Sequence, residues 1–265
     1  MRIHQLGDGT PEVCVVAGIH GDEPCGVRAV ERLLAESPSV QKPVKFVVAN
    51  ERALEAGVRY LDADLNRAFP GDPNADEHER RLAYDLAREV RGCTTLAIHS
   101  TQSFGEPFGV VDSVDPVSRD IAPKLPIVAL IETDERTEGR LIEYPHVVEV
   151  EAGFQASDEA AANAYELTKA FLVATGVLEA DPADVAEPPS DVPVFRLRDS
   201  IPKPPAEEYE VFATNFERVE SGQAFAAADG ESVVADEPFY PVLLSPYGYE
   251  SQFGYAATKS GRVEE

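Results

Sequence analysis

Short apolar runs alternate with stretches of helical spacing through the first two-thirds of this chain, and that alternation restricts the fold more than any other feature. VCVVAGI (13–19), VKFVVAN (44–50), TTLAIH (94–99), PIVALIE (126–132) and VVEVEAG (147–153) each read as a buried strand. After Glu23, apolar residues recur at Val27, Val30, Leu33 and Leu34, with Pro24 suited to a first helical turn. A second amphipathic helix is expected from Glu77 to Val90, with Leu82, Leu86 and Val90 on one side. A third is expected from Ser157 to Val173, capped by the Ser157 hydroxyl. Strands separated by helices imply an α/β fold, with a mixed sheet covered by helices.

The pattern changes near residue 181. DPADVAEPPSDVP (181–193) is rich in proline, aspartate and alanine and reads as a linker. Short strand-like pieces follow, such as VFRLR, YEVFAT and YPVLLS. The expected division is therefore a catalytic domain over 1–180 and a small β-rich domain over 181–265.

Charge narrows the function classes. The chain carries 48 acidic residues against 23 basic ones, a formal net charge of -25. Such a surface repels nucleic acid, so no nucleic-acid partner is expected. The acids are dispersed rather than gathered in a tail, which fits a folded surface adapted to concentrated salt. At molar salt the screening length is only ~3 Å, and the self-repulsion is largely quenched. No apolar run is long enough to span a bilayer, so no membrane partner is expected. The N-terminal residues lack a basic stretch followed by an apolar one, and a cytoplasmic location is expected. Cys14, Cys25 and Cys93 form no CxxC pair and read as small buried hydrophobes.

Four constellations carry chemistry. AGIHGDEPCG sets His20 and Glu23 three positions apart, where a buried strand gives way to a helix. Ligand sites in such sheets gather at the carboxyl ends of strands. An imidazole and a carboxylate at this spacing can converge on one ion at ~2.0–2.2 Å. Alone, the pair equally fits a loop histidine and a glutamate in a helix's first turn. His99 closes another strand; two ligands close in sequence and one distant one make the layout of a catalytic zinc site, with a fourth position open. RYLDADLNRAFPG (59–71) gathers Arg59, Asn66 and Arg67 in a polar loop. Guanidinium groups grip carboxylates bidentately and stabilise an oxygen as charge develops on it, although these arginines also fit surface pairs with Asp62 and Asp64. Finally, Glu149 and Glu151 share one face of an apolar strand, costly for a carboxylate unless paired or functional, though common on an edge strand with one solvated face. His4, His78 and His146 sit in polar or irregular context and are weaker candidates.

Together these blocks resemble the succinylglutamate desuccinylase/aspartoacylase family, relatives of the zinc carboxypeptidases. AGIHGDEPCG is similar to the family's GxHGNExxG block, RYLDADLNRAFPG to its DLNR block, IHST to DLHN or DLHT, and VEAG to EVG or ELG. YPVLLSPYGYE (240–250) resembles the C-terminal segment of aspartoacylases. The resemblance implies a carboxypeptidase-like sheet, one zinc ion per subunit held by His20, Glu23 and His99, and Glu151 as general acid and base. It also implies that Arg59 polarises the scissile carbonyl, that Asn66 and Arg67 hold the substrate's α-carboxylate, that Arg140 takes its side-chain carboxylate, and that Tyr249 reaches it from the C-terminal segment. The implied activity is hydrolysis of the amide in a small N-acyl acidic amino acid resembling N-acetylaspartate or N-succinylglutamate. The alternatives are a metallocarboxypeptidase acting on peptides and a metal-binding relative without catalysis. Self-association is left open.

Several positions depart from the family pattern. Ala97 stands where the family usually places an aspartate two residues before the third ligand. A carboxylate that would orient that imidazole is thus missing or comes from elsewhere. Asp22 replaces an asparagine, Ser100 an asparagine or threonine, and Arg136 a tyrosine. Counting from Tyr144 and Pro145 would make Glu149 the catalytic acid; the glycine just downstream favours Glu151.

Overall fold

The computed structural model describes residues 1–134, 139–179, 189 and 191–264. Arg136 and most of the expected linker lie outside the described residues. The chain runs through β1 (Arg2–Leu6), β2 (Val13–Ala17), α1 (Cys25–Glu36), β3 (Val44–Val48), α2 (Glu51–Ala56), α3 (His78–Val90) and β4 (Thr94–Thr101). It continues through β5 (Phe108–Val111), α4 (Pro116–Ile121), β6 (Leu130–Glu132), β7 (Val147–Phe154) and α5 (Asp158–Ala174). The remaining elements are β8 (Asp191–Pro202), β9 (Tyr209–Val211), β10 (Ala224–Ala228), β11 (Glu231–Val234), β12 (Tyr240–Val242) and β13 (Gln252–Glu264).

Among the described residues, ten strands form one mixed sheet in the order β1-β3-β2-β4-β7-β5-β6-β8-β13-β12. Its centre is parallel: β2 pairs with β3 and β4, and β4 pairs with β7. These strands are buried along most of their length, as the near-continuous apolar runs require. On one face, Val15, Leu96, Ile98, Val148 and Val150 pack against Ala29, Val30 and Leu33 of α1 and Leu167, Phe171 and Leu172 of α5. On the other, Cys14, Val16 and Ala97 join Leu82, Leu86 and Val90 of α3. The helix-covered α/β sheet expected from the alternation is the one observed. Ser157 caps α5, its hydroxyl accepting from the Ala160 amide at 2.9 Å.

Some expectations are corrected. The strand foreseen over 126–132 is reduced to Leu130–Glu132, because Pro126 brings no amide hydrogen and the Ile127 amide turns back onto Leu125 O. β5 was not foreseen, since FGVV is short and lies in a glycine- and proline-containing stretch. The strands after residue 190 divide. β8 pairs parallel with β6 and carries β13 and β12 with it, so the boundary expected at 181 falls within one hydrogen-bonded sheet. Only β9, β10 and β11 form a second sheet. An apolar cluster of Phe225, Phe239, Phe253 and Val219 packs in that region. No described helix is long and apolar enough to cross a membrane.

Candidate metal and hydrolytic site

The carboxyl ends of β2, β4 and β7 open into one pocket, lined by His20, Glu23, Arg59, Asn66, Arg67, His99, Arg140, Glu151 and Tyr249 among others. The nine side chains that the resemblance assigns to metal, catalysis or substrate are therefore in one place, whereas Glu149, the alternative acid, does not line the pocket. His4, His78 and His146 do not line it.

His20 and Glu23 are brought together by a tight turn at Gly21, where a Cβ would lie 2.1 Å from the Ala53 carbonyl carbon at α2. Only glycine lets the turn press against that helix. Glu23 then holds both imidazoles: its Oε1 accepts from His20 Nδ1 at 2.9 Å and its Oε2 from His99 Nδ1 at 3.0 Å. One ligand atom from each of the three lies within 4.8 Å of the others, and all three residues are buried. On the far side of the first ring, Asp64 Oδ1 accepts from His20 Nε2 at 3.0 Å. A buried His, Glu, His set with a carboxylate behind one ring matches the donors zinc favours.

Charge runs through the cluster. Burial opposes a proton on either histidine, but Glu23 and Asp64 outweigh it at His20 and raise its pKa. Glu149 and Glu23 do the same at His99, raising it to about 10. Burial resists ionisation of Glu23, yet the two imidazoles hold its carboxyl well below the ordinary range. Each imidazole must shed a proton to become a ligand, so metal and protons compete for this set.

The two glutamates of β7 separate sharply. Burial pushes Glu151 up to about 7, and the like charge of Glu23 adds to it. Its Oε2 is shut from solvent and has no hydrogen-bond partner. Glu149, fully buried, has partners at both oxygens: Asn66 Nδ2 donates to Oε1 and Arg140 Nη2 to Oε2, each at 3.0 Å. Burial would raise it, but Arg140 and His99 bring it to about 2. Of the two carboxylates, Glu151 is the one left with an unengaged oxygen and an acidity near neutral.

The arginines differ in what they offer. Arg59 donates to Glu23 Oε1 at 2.9 Å and to Asp64 Oδ2 at 3.2 Å. The surface pair with Asp64 and a place in the pocket therefore both hold for it. Arg67 donates to the Asn66 carbonyl and forms no ion pair with a described carboxylate. Asn66 is engaged on both sides of its amide: Nδ2 donates to Glu149 and Oδ1 accepts from the Leu141 amide at 2.9 Å. Arg140 is held by Glu149, although its buried Nε has no partner. Tyr249 joins from the segment between β12 and β13, with Leu243, Ser245 and Gly248 beside it.

Sequence reading passed over Glu79. Fully buried, its carboxylate accepts from the amides of Leu61, Asp62 and Ala63 and from Asn50 Nδ2. It holds the loop that carries Arg59, Asp64 and Arg67. The signal was present: Glu79 is three residues before Leu82 and seven before Leu86, on the apolar face of α3.

Residues 9–101 match the succinylglutamate desuccinylase/aspartoacylase catalytic domain. The chain is 34% identical over 91 residues to aspartoacylase of Xenopus tropicalis, a stretch covering 33% of this chain and 29% of that one. Over these residues the chain is similar to the succinylglutamate desuccinylase/aspartoacylase family. A probable aspartoacylase of Prochlorococcus marinus (strain MIT 9312) is 35% identical over 78 residues, or 29% of this chain and 26% of that one. These matches thus span little more than a quarter of either relative. The fold extends further: the crystal structure of a succinylglutamate desuccinylase/aspartoacylase from Rhodobacter sphaeroides superposes with a TM-score of 0.77 over 99% of this chain and 88% of that one, at 18% identity. The segment matching the family's catalytic domain contains His20, Glu23, Arg59, Asn66, Arg67 and His99, whereas Glu151 and Tyr249 lie beyond it.

Proposed function

We propose that this protein hydrolyses the amide bond of a small N-acyl amino acid at the His20, Glu23, His99 pocket. The observation carrying the reading is the solvent-shielded Oε2 of Glu151, without a hydrogen-bond partner among the described residues, on the strand beside His99 and in one pocket with a three-donor metal set. A zinc ion held by those three residues would supply Lewis acidity to the acyl carbonyl and to a water molecule. Glu151 takes a proton from the water as its oxygen bonds to the acyl carbon. Arg59, which lines the same pocket, would stabilise the negative charge that then develops on the carbonyl oxygen. As the carbon–nitrogen bond breaks, Glu151 returns the proton to the departing amine. The products are a carboxylate and a free amino acid.

Arg67, which lines the pocket and forms no ion pair with a described carboxylate, would take the substrate's α-carboxylate. Leu243, Ser245, Gly248 and Tyr249 wall the pocket from the C-terminal segment, which favours a small substrate over a peptide. Acidic amino acids, as in N-acetylaspartate or N-succinylglutamate, are the first substrates to try on family grounds. The test is a deacylation screen of zinc-loaded protein with N-acetyl, N-succinyl and N-formyl aspartate and glutamate, alongside N-acetyl neutral amino acids and a hippuryl peptide. Release of free amino acid is expected. Turnover of the peptide alone would establish a carboxypeptidase instead, and activity on none would overturn the deacylase reading.

A further inference from the structure

Ala97 and Glu149 are register partners on the adjacent parallel strands β4 and β7, and His99 and Glu151 are the next pair along. Ala97, lying two residues before His99, carries no polar atom. The neighbouring strand places a carboxylate beside it. Glu149 is 2% exposed and its Oε1 lies 3.7 Å from His99 Nε2. That distance exceeds a hydrogen bond, but His99 Nε2 is buried and has no other partner. The opposite ring nitrogen, Nδ1, faces Glu23 at 3.0 Å. Glu149 is itself fixed: Asn66 Nδ2 and Arg140 Nη2 each hold one of its oxygens, and the Leu141 amide holds Asn66.

We propose that Glu149 is the positioning residue for His99, supplying from β7 the carboxylate that Ala97 cannot supply from β4. This rests on His20, Glu23 and His99 being a metal site. A carboxylate facing Nε2 keeps the proton on that nitrogen, leaves Nδ1 as the lone-pair donor and makes it more basic. Asn66 and Arg140 then support His99 through Glu149.

The test is zinc affinity of the metal-free protein, read by competition with a chromophoric chelator, together with Tm. Glu149→Gln is expected to weaken zinc binding about 10- to 100-fold. Arg140→Met removes the ion pair but leaves Glu149, and is expected to weaken zinc binding less than Glu149→Gln while lowering Tm. Should Glu149→Gln not fold, Glu149→Asp keeps the charge near Arg140 while withdrawing it from His99, and is expected to weaken zinc binding. Moving the carboxylate to the other strand, in Ala97→Asp combined with Glu149→Gln, is expected to recover affinity relative to Glu149→Gln alone. Unchanged zinc affinity in the Glu149 variants, or an equal loss in Arg140→Met, overturns the positioning role. A wild-type protein that binds no zinc overturns the metal reading itself, and the role of Glu149 with it.

Discussion

His99 and Glu151 stand side by side as register partners on parallel strands, so the third candidate ligand and the candidate proton carrier are fixed by one set of backbone hydrogen bonds. Gly153 follows with φ +127, and a Cβ there would lie 2.6 Å from the Gly105 carbonyl oxygen. That glycine lets the Gly105 backbone press against β7 two residues after Glu151. Removing the carboxylate while keeping its shape separates proton transfer from metal binding. Glu151→Gln is expected to lower kcat by about 10²- to 10⁴-fold with zinc content unchanged by elemental analysis. Equal activity would remove Glu151 from the mechanism.

Activity is expected to fall on the acid side as Glu151 takes up a proton. Its pKa is raised to about 7 by burial and by Glu23. A bound cation favours the carboxylate, so the acid limb of kcat/KM in the zinc-loaded enzyme should lie below that value. A pH–rate profile measures it, and Glu151→Asp should displace the limb.

Acid stability depends on Glu149. Its folded-state pKa is about 2, against an ordinary 4.5. The unfolded chain therefore binds this proton more readily than the folded one. The resulting stability is present above the ordinary value and disappears as pH falls towards the folded one, on the order of 3 kcal/mol in all. Denaturant midpoints measured from neutral pH downwards should show Glu149→Gln losing stability less steeply than wild type over that window.

Arg67 and Arg140 should separate in steady-state kinetics. Arg67 has no carboxylate partner among the described residues, whereas Arg140 is paired with Glu149. Arg67→Gln is expected to raise KM for an N-acyl amino acid about tenfold or more, in line with loss of a charge-assisted bond worth about 1.5–3 kcal/mol. Arg140→Gln should move KM less. The reverse order would show that substrate displaces Glu149 from Arg140.

With a net charge of -25, the folded chain repels itself. Raising sodium chloride from dilute buffer to molar concentration shortens the screening length to ~3 Å, and Tm is expected to rise. A Tm independent of salt would remove the case for adaptation to concentrated salt.

The sequence by itself determined the central strands, the three long helices and the metal-binding donor types that gather in the pocket. Buried parallel strands must be apolar along their length, and metal ligands must hold nitrogen or carboxylate donors at short spacing. Glu79, too, was legible as an acid on an apolar helix face. What each polar residue does once inside the pocket was decided only by the tertiary structure. Asn66 and Arg140 read as substrate contacts, yet Glu149 engages both. Glu149 and Glu151 are indistinguishable by alternation; Arg140, His99 and Asn66 around the first, and burial with the charge of Glu23 around the second, pull their acidities apart. Ala97 looked like a missing carboxylate because its partner is 52 positions downstream, and a register pairing between strands leaves no mark in either strand alone. The same holds for β8, β12 and β13, which extend the main sheet through pairings their own residues do not specify.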